Sequence, residues 1–172
     1  FKDGLIPNFI PDKGGPVAYN SADATLWYVN AVFQYLKYTG DFGFVRTQLL
    51  ETLNAIVENH VKGAASNIHV DGDGLLLHGP QFTWMDAMVD DQPVTPRAGK
   101  AVEVQALWYD VLKIMDSLAR NSAENSETEK YAVMAERAKT SFAEKFWNAE
   151  KNCLFDAIGK NEQDGSFRPN QI

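Results

Sequence analysis

The chain has a single cysteine, Cys153, so no disulfide can close within it, and a reducing compartment, the cytoplasm, is expected. It carries no Asn-x-Ser/Thr acceptor, no signal-peptide pattern and no uninterrupted apolar run of bilayer-spanning length, so no membrane partner is expected. Basic residues are the minority: 16 Lys and Arg stand against 23 Asp and Glu, a net charge of −7, which disfavours nucleic acid and anionic membranes as partners. His60, His69 and His78 lack zinc-ligand spacing with one another or with Cys153, and no phosphate-cradling glycine loop precedes a helix. The string "DGDG" at 71–74 lacks the bidentate glutamate of a calcium loop and reads as a tight turn. No metal and no cofactor is expected. A nucleophile elbow for serine chemistry, an internal repeat and a low-complexity tract are also missing.

What is present is a globular composition rich in aromatics, 12% of the chain with four Trp, which suits either a large core or stacking surfaces. Apolar spacing predicts four helices. The first spans about Ala22 to Thr39, capped at Asn20 or Ser21 and stopped at Gly40; from Ala24 to Leu36 it has no charge. The second, about Phe42 to Val61, puts Val45, Leu49, Leu53, Ile56 and Val57 on one stripe. The third, about Lys100 to Leu118, is nearly uncharged in its middle. The fourth, about Glu127 to Trp147, opens with a Ser126–Glu129 capping box and has many charges on its outer faces. A helix apolar all round is surrounded by protein. The order buried, half-exposed, buried, half-exposed therefore predicts a two-layer helical toroid rather than a plain bundle. On that reading Trp27, Val32 and Leu107 are buried in the intact protein, with some exposure expected of residues 1–172 alone, where neighbouring inner helices are absent. Residues 67–79 read as a hairpin and "CLFDAIG" (153–159) as a short strand.

The long connection from about 66 to 98 exceeds ordinary loop length, and its Trp and Phe content argues against disorder. Trp84 directly precedes Met85-Asp86, with Arg97 and Lys100 following. A carboxyl held against an indole loses solvation, so its pKa rises and it becomes a proton donor near neutral pH. Indole faces also stack on sugar rings, while Asp, Glu, Arg, Gln and Asn bind hydroxyls. The spacing leaves open a plainer reading, in which Trp84 is a core anchor and Asp86 a turn residue. Two of the apolar helices begin with a carboxylate and an indole, Asp23 with Trp27 and Glu103 with Trp108, and in a toroid such ends gather at one mouth. Serving the helix dipole is the simpler role for both carboxylates.

The strings "YNSADATLWYVNAVFQYLKYTGD", "FTWMDA", "VTPRAGKAVEVQALWY" and "FRPNQI" resemble the C-terminal glucosidase domain of glycogen debranching enzymes, the amylo-α-1,6-glucosidase family. The likeness runs from "GLIPN" at 4–8 to Ile172. It implies an all-α fold, part of an (α/α)6 toroid with short β elements in its connections. It implies hydrolysis, with inversion, of the α-1,6-linked glucose at a branch point of glycogen or another branched α-glucan. Asp86 would be the general acid. Asp23, Trp27, Gln81, Trp84, Arg97, Lys100, Glu103, Arg168, Asn170 and Gln171 would line the glucose pocket. Gln105 departs from the family, which more often has Asn there.

Such a toroid needs twelve helices and four are read here. Inversion also needs a second carboxyl roughly 6.5–9.5 Å from the first, and the resemblance puts that base beyond this chain. The sequence opens on Phe1 and ends on a turn, Arg168-Pro169-Asn170, that feeds a further element. Residues 1–172 are therefore expected to be a fragment of a single glucosidase catalytic domain, silent and prone to self-association by itself. The competing readings are another (α/α)6 glycosidase, trehalase-like or glucoamylase-like, and a non-catalytic helical carbohydrate-binding module.

Overall fold

The uncharged run after Asp23 forms α1 (Asp23–Thr39). Ser21 Oγ accepts the Ala24 N–H at 3.0 Å, and Gly40, at φ 67°, closes the far end with its N–H on Leu36 O at 2.8 Å. Leu26, Val29, Val32 and Leu36 make one buried stripe. The computed structural model describes residues 1–63, 67–121 and 125–171, with the backbone but not the side chains of 125–128. The capping box expected at Ser126 lies outside the described side chains.

Asp41 opens the next helical stretch, its Oδ1 accepting the Phe44 N–H at 2.9 Å. That stretch is three pieces rather than one helix: α2 (Phe42–Phe44), a π-helical turn (Val45–Leu49) and α3 (Leu50–Lys62). The expected stripe survives the widened turn, since Val45, Leu53, Ile56 and Val57 are all buried. The long helix α4 (Val102–Asn121) lies between α1 and α5 (Asn125–Phe146). Asn30 Nδ2 donates to Asp110 Oδ2 at 2.8 Å and ties α1 to α4; the Tyr131 hydroxyl on Asn54 Oδ1, 2.9 Å, ties α5 to α3.

Nine short strands join these helices among the described residues, in four antiparallel sheets. The expected hairpin is β1 (Ile68–Val70) with β2 (Leu76–His78), around the tight turn at "DGDG". A second hairpin pairs β3 (Met88–Val89) with β4 (Gln92–Pro93). The strand β5 (Lys100–Ala101) occupies the expected start of the third helix. After α5, β6 (Trp147–Asn148) pairs with β7 (Cys153–Leu154). Then β8 (Ala157–Ile158) lies between β5 and β9 (Gln163–Asp164).

These sheets overturn the all-α expectation and the helical toroid inferred from it: the chain is about half helical and partly sheet. Strands of two or three residues cannot display alternation, so periodicity does not detect them. "CLFDAIG" is not one strand; it breaks at Phe155-Asp156 and serves two sheets. The burial pattern is also only half as expected. Most of α4 is buried, whereas α1 has an open side, with Trp27 56% exposed and Tyr35 and Tyr38 exposed beyond it. Val32 is buried and Leu107 half-buried. An uncharged helix signals cover on all sides only when its aromatics have neighbours; in α1 Tyr28 and Phe33 pack against the core, while Trp27, Tyr35 and Tyr38 face outward.

Gln105, where the resemblance leads one to expect Asn, has a defined place in the fold. Its amide clasps Leu76 of β2, accepting the N–H at 2.7 Å and donating to the C=O at 2.8 Å. Among the described residues no helix is long and apolar enough to cross a membrane.

Candidate active site

The first turns of α1 and α4 lie side by side and floor an open cleft of about 440 Å³. Four-residue spacing puts Asp23 and Trp27 on one helix face, and Glu103 and Leu107 on one face of the other. Trp84 from the long connection and Asn170 from the 3-10 turn Pro169–Gln171 complete the wall. Five of the residues proposed from sequence therefore meet here. Trp108 does not. It is fully buried, stacked on His60 and bonded through its indole N–H to Gly74 O. It stands five residues after Glu103, which turns it off the cleft face.

Arg97 sits behind the cleft wall with its side chain 1% exposed. Its Nη1 and Nη2 grip Glu103 Oε1 and Oε2, each at 2.6 Å, the planar fork that only guanidinium offers a carboxylate. Its Nε reaches Asp156 Oδ2 at 2.7 Å, and Nη1 also reaches Thr83 Oγ1 at 3.2 Å. Burial alone would lower the Arg97 pKa, but Glu103 and Asp156 raise it. The backbone is strained at this point: Arg97 has φ 39° and Gln81 φ 62°, left-handed values that non-glycine residues hold only when surroundings impose them. Gly99, at φ 120°, is obligatory, because a Cβ there would fall 2.3 Å from Ile158 O.

Trp84 Nε1 donates to Asn170 Oδ1 at 2.9 Å, and Asn170 Nδ2 donates to Asp156 Oδ1 at 2.8 Å. Arg168 Nη1 bridges Asp156 Oδ2, at 2.5 Å, and Asp164 Oδ2, at 2.6 Å. Burial pushes the Asp164 carboxyl up, but hydrogen bonds from Ser166 and Arg168 prevail and bring it to about 2. Ser21 Oγ donates to Asp23 Oδ1, holding that carboxylate at the rim.

The remaining candidates lie outside the cleft wall. Asp86 is exposed two residues beyond Trp84, and Gln81 Nε2 holds its backbone carbonyl at 3.2 Å. The desolvation expected from an indole packed over it is not present. Lys100 is drawn the other way, with Nζ on Asp71 Oδ2 at 2.8 Å and Asp73 Oδ2 at 2.7 Å; Lys145 shares Asp73. Gln171 braces backbone, accepting from Leu154 N and donating to Ser166 O, both at 3.2 Å. His78 is buried close enough to feel Glu103, Arg97 and Asp23, and burial pushes its pKa down. Among the described residues no three His, Cys, Asp or Glu converge as a metal site.

Sequence reasoning missed Asp156. It is fully buried in the centre of the cluster, yet its partners lie 59, 14 and 12 residues away along the chain. The available signal was a carboxylate in the middle of the apolar string "CLFDAIG", since a buried charge must be paired.

Solved structures share this fold. A GH78 family rhamnosidase of Bacillus sp. GL1 superposes with a TM-score of 0.68 at 19% identity, over 88% of this chain and 15% of that one. A rhamnosidase from Klebsiella oxytoca, with rhamnose bound, gives 0.62 at 17% identity, over 94% of this chain and 29% of that one. The chain thus spans less than a third of either. No curated protein matches it in sequence. The sequence profile of amylo-alpha-1,6-glucosidase covers residues 1–172, which makes the role of the chain a glycoside-hydrolase-related one. The chain belongs to the amylo-alpha-1,6-glucosidase family.

Proposed function

We propose that the cleft is the part of a glucosidase active site that receives the α-1,6-linked glucose at a branch point of glycogen or limit dextrin. The supporting observation is the composition of the cleft: two exposed indoles, Trp27 and Trp84, line it together with the acceptors Asp23 and Glu103, around a space of sugar size. Indole faces cover the apolar side of a pyranose ring, and fixed carboxylates take its hydroxyls. Asp23, Trp27, Trp84, Glu103 and Asn170 would touch the glucose. Gln81, Arg97, Arg168 and Gln171 would hold the surrounding walls, while Lys100 fastens the β1–β2 turn away from the cleft.

Asp86 is the general acid in this reading. It would protonate the leaving glycosidic oxygen of a sugar bound against Trp84. Inversion needs a base-activated water on the opposite face, roughly 6.5–9.5 Å from the acid carboxyl. Glu103 has both oxygens committed to Arg97, so its part is to accept hydroxyls. No residue of 1–172 is assigned the part of the base. The test is glucose release from limit dextrin by the full-length protein, set beside release of rhamnose from an aryl rhamnoside. Glucose release supports the reading; rhamnose release without glucose release contradicts it.

A further inference from the structure

Both walls of the cleft trace back to one carboxylate that never reaches it. Asp156 has no exposed side-chain surface, and its backbone is pinned by N–H to Asp164 O at 2.7 Å and by C=O to Val102 N at 3.0 Å. A carboxylate offers about four lone-pair directions. Here they receive Arg97 Nε and Nη2, Arg168 Nη1 and Asn170 Nδ2. No acceptor capacity is left for a sugar. The Arg97 guanidinium is spent in the same way, on Glu103, Asp156 and Thr83.

Two relays leave this centre. Through Arg97 it aims Glu103, whose side chain is 18% exposed at the cleft. Through Asn170 it aims Trp84: because Asn170 Nδ2 is committed to Asp156, its Oδ1 faces the indole N–H. We propose that Asp156 is the positioning residue of the cleft, setting the acceptor wall through Arg97 and Glu103 and the stacking wall through Asn170 and Trp84. The inference rests on the reading of the cleft as a glycoside subsite.

The chemistry of Asp156→Asn makes this testable. The new amide has one acceptor and one donor end. Two close guanidinium donors meet the Oδ2 side, at 2.7 and 2.5 Å, against one at 3.3 Å on Oδ1, so the amide oxygen stays at Oδ2 and the amide nitrogen turns to Asn170. Asn170 must then flip, presenting Nδ2 to Trp84 Nε1, donor against donor, and the indole is released. Asn170→Asp added to Asp156→Asn restores both bonds, since the new carboxylate accepts from the amide and from the indole.

The experiment uses the full-length protein labelled with 5-fluorotryptophan, with the Trp84 resonance assigned by Trp84→Phe, alongside kcat and KM on limit dextrin. Asp156→Asn should shift that resonance and raise KM about 10-fold, the size of one lost hydrogen bond and its stacking. The double variant should return both toward wild type, a rescue that general loosening of the fold would not give. If Asp156→Asn does not fold, Asn170→Ala, which removes no buried charge, must shift the Trp84 resonance and raise KM alone. A Trp84 resonance and KM unmoved in Asp156→Asn, or in Asn170→Ala, overturn the proposal, as does absence of rescue in the folded double variant. A resonance that shifts and is rescued, in a protein inactive on limit dextrin, supports the relay and sinks the glucoside reading instead.

Discussion

Arg97 and Lys100 stand in the same string, "PRAGK", carry the same charge and are both buried, yet they serve two separate networks. Arg97 turns inward through a left-handed backbone and joins Glu103 and Asp156 behind the cleft. Lys100, past the glycine turn, enters β5 and locks the β1–β2 turn by pairing with Asp71 and Asp73. One network shapes a site and the other fastens a hairpin to α5, through Lys145 on Asp73 and Arg137 on Gly72 O. The lesson concerns geometry: a planar fork can hold a carboxylate in one orientation, while an ammonium only neutralises what surrounds it.

The largest effect that would test this contrast is at Arg97. Arg97→Ala removes the fork from Glu103 and strips a buried carboxylate of its main partner, so unfolding stability should fall by about 3–5 kcal/mol, with activity lost as well. Urea denaturation of the full-length protein checks the first part. A variant as stable as wild type would mean that the Arg97–Asp156 pair contributes nothing net.

Lys100→Met should cost less, about 1–3 kcal/mol, and leave kcat/KM within about threefold, because its network does not touch the cleft wall. An activity loss equal to that of Arg97→Ala would erase the distinction between the two networks. The acid response sharpens the same point. Burial pushes the Asp73 carboxyl up, but Lys100 and Lys145 outweigh it and lower it from 3.8 to about 2. A carboxyl depressed on folding adds stability above its unfolded pKa, lost as pH falls toward the folded value. Wild type should therefore weaken between about pH 4 and pH 2, and Lys100→Met should weaken less over that range.

Much of the frame was legible in the sequence. The span of α1, its stop at Gly40, the stripe of α3 and the hairpin around "DGDG" follow from apolar spacing and turn chemistry, both local. The three-stranded sheet was not, because β5 and β8 are two residues each and pair residues far apart in the chain, Lys100 with Ile158 and Ala101 with Ala157. In the site, Asp23 with Trp27 was legible through four-residue spacing, whereas Trp108 was misjudged at five. The cluster around Asp156 could not be read, since it exists only where distant segments meet.

A smaller effect is expected at Gln105. Gln105→Asn has a side chain one methylene too short to clasp both polar groups of Leu76, and the unmet bonds should cost about 1–2 kcal/mol. Thermal unfolding reads this directly. An unchanged midpoint would show that the shorter amide serves as well.

The central claim is that Asp86 protonates the leaving oxygen of a glucoside held in this cleft. Its most direct test compares wild type and Asp86→Asn, in the full-length protein, on limit dextrin and on α-glucosyl fluoride, whose leaving group needs no proton. The account predicts a loss of about 10²-fold or more on limit dextrin and near-wild-type turnover on the fluoride. Equal losses on both substrates, or none on limit dextrin, would contradict it.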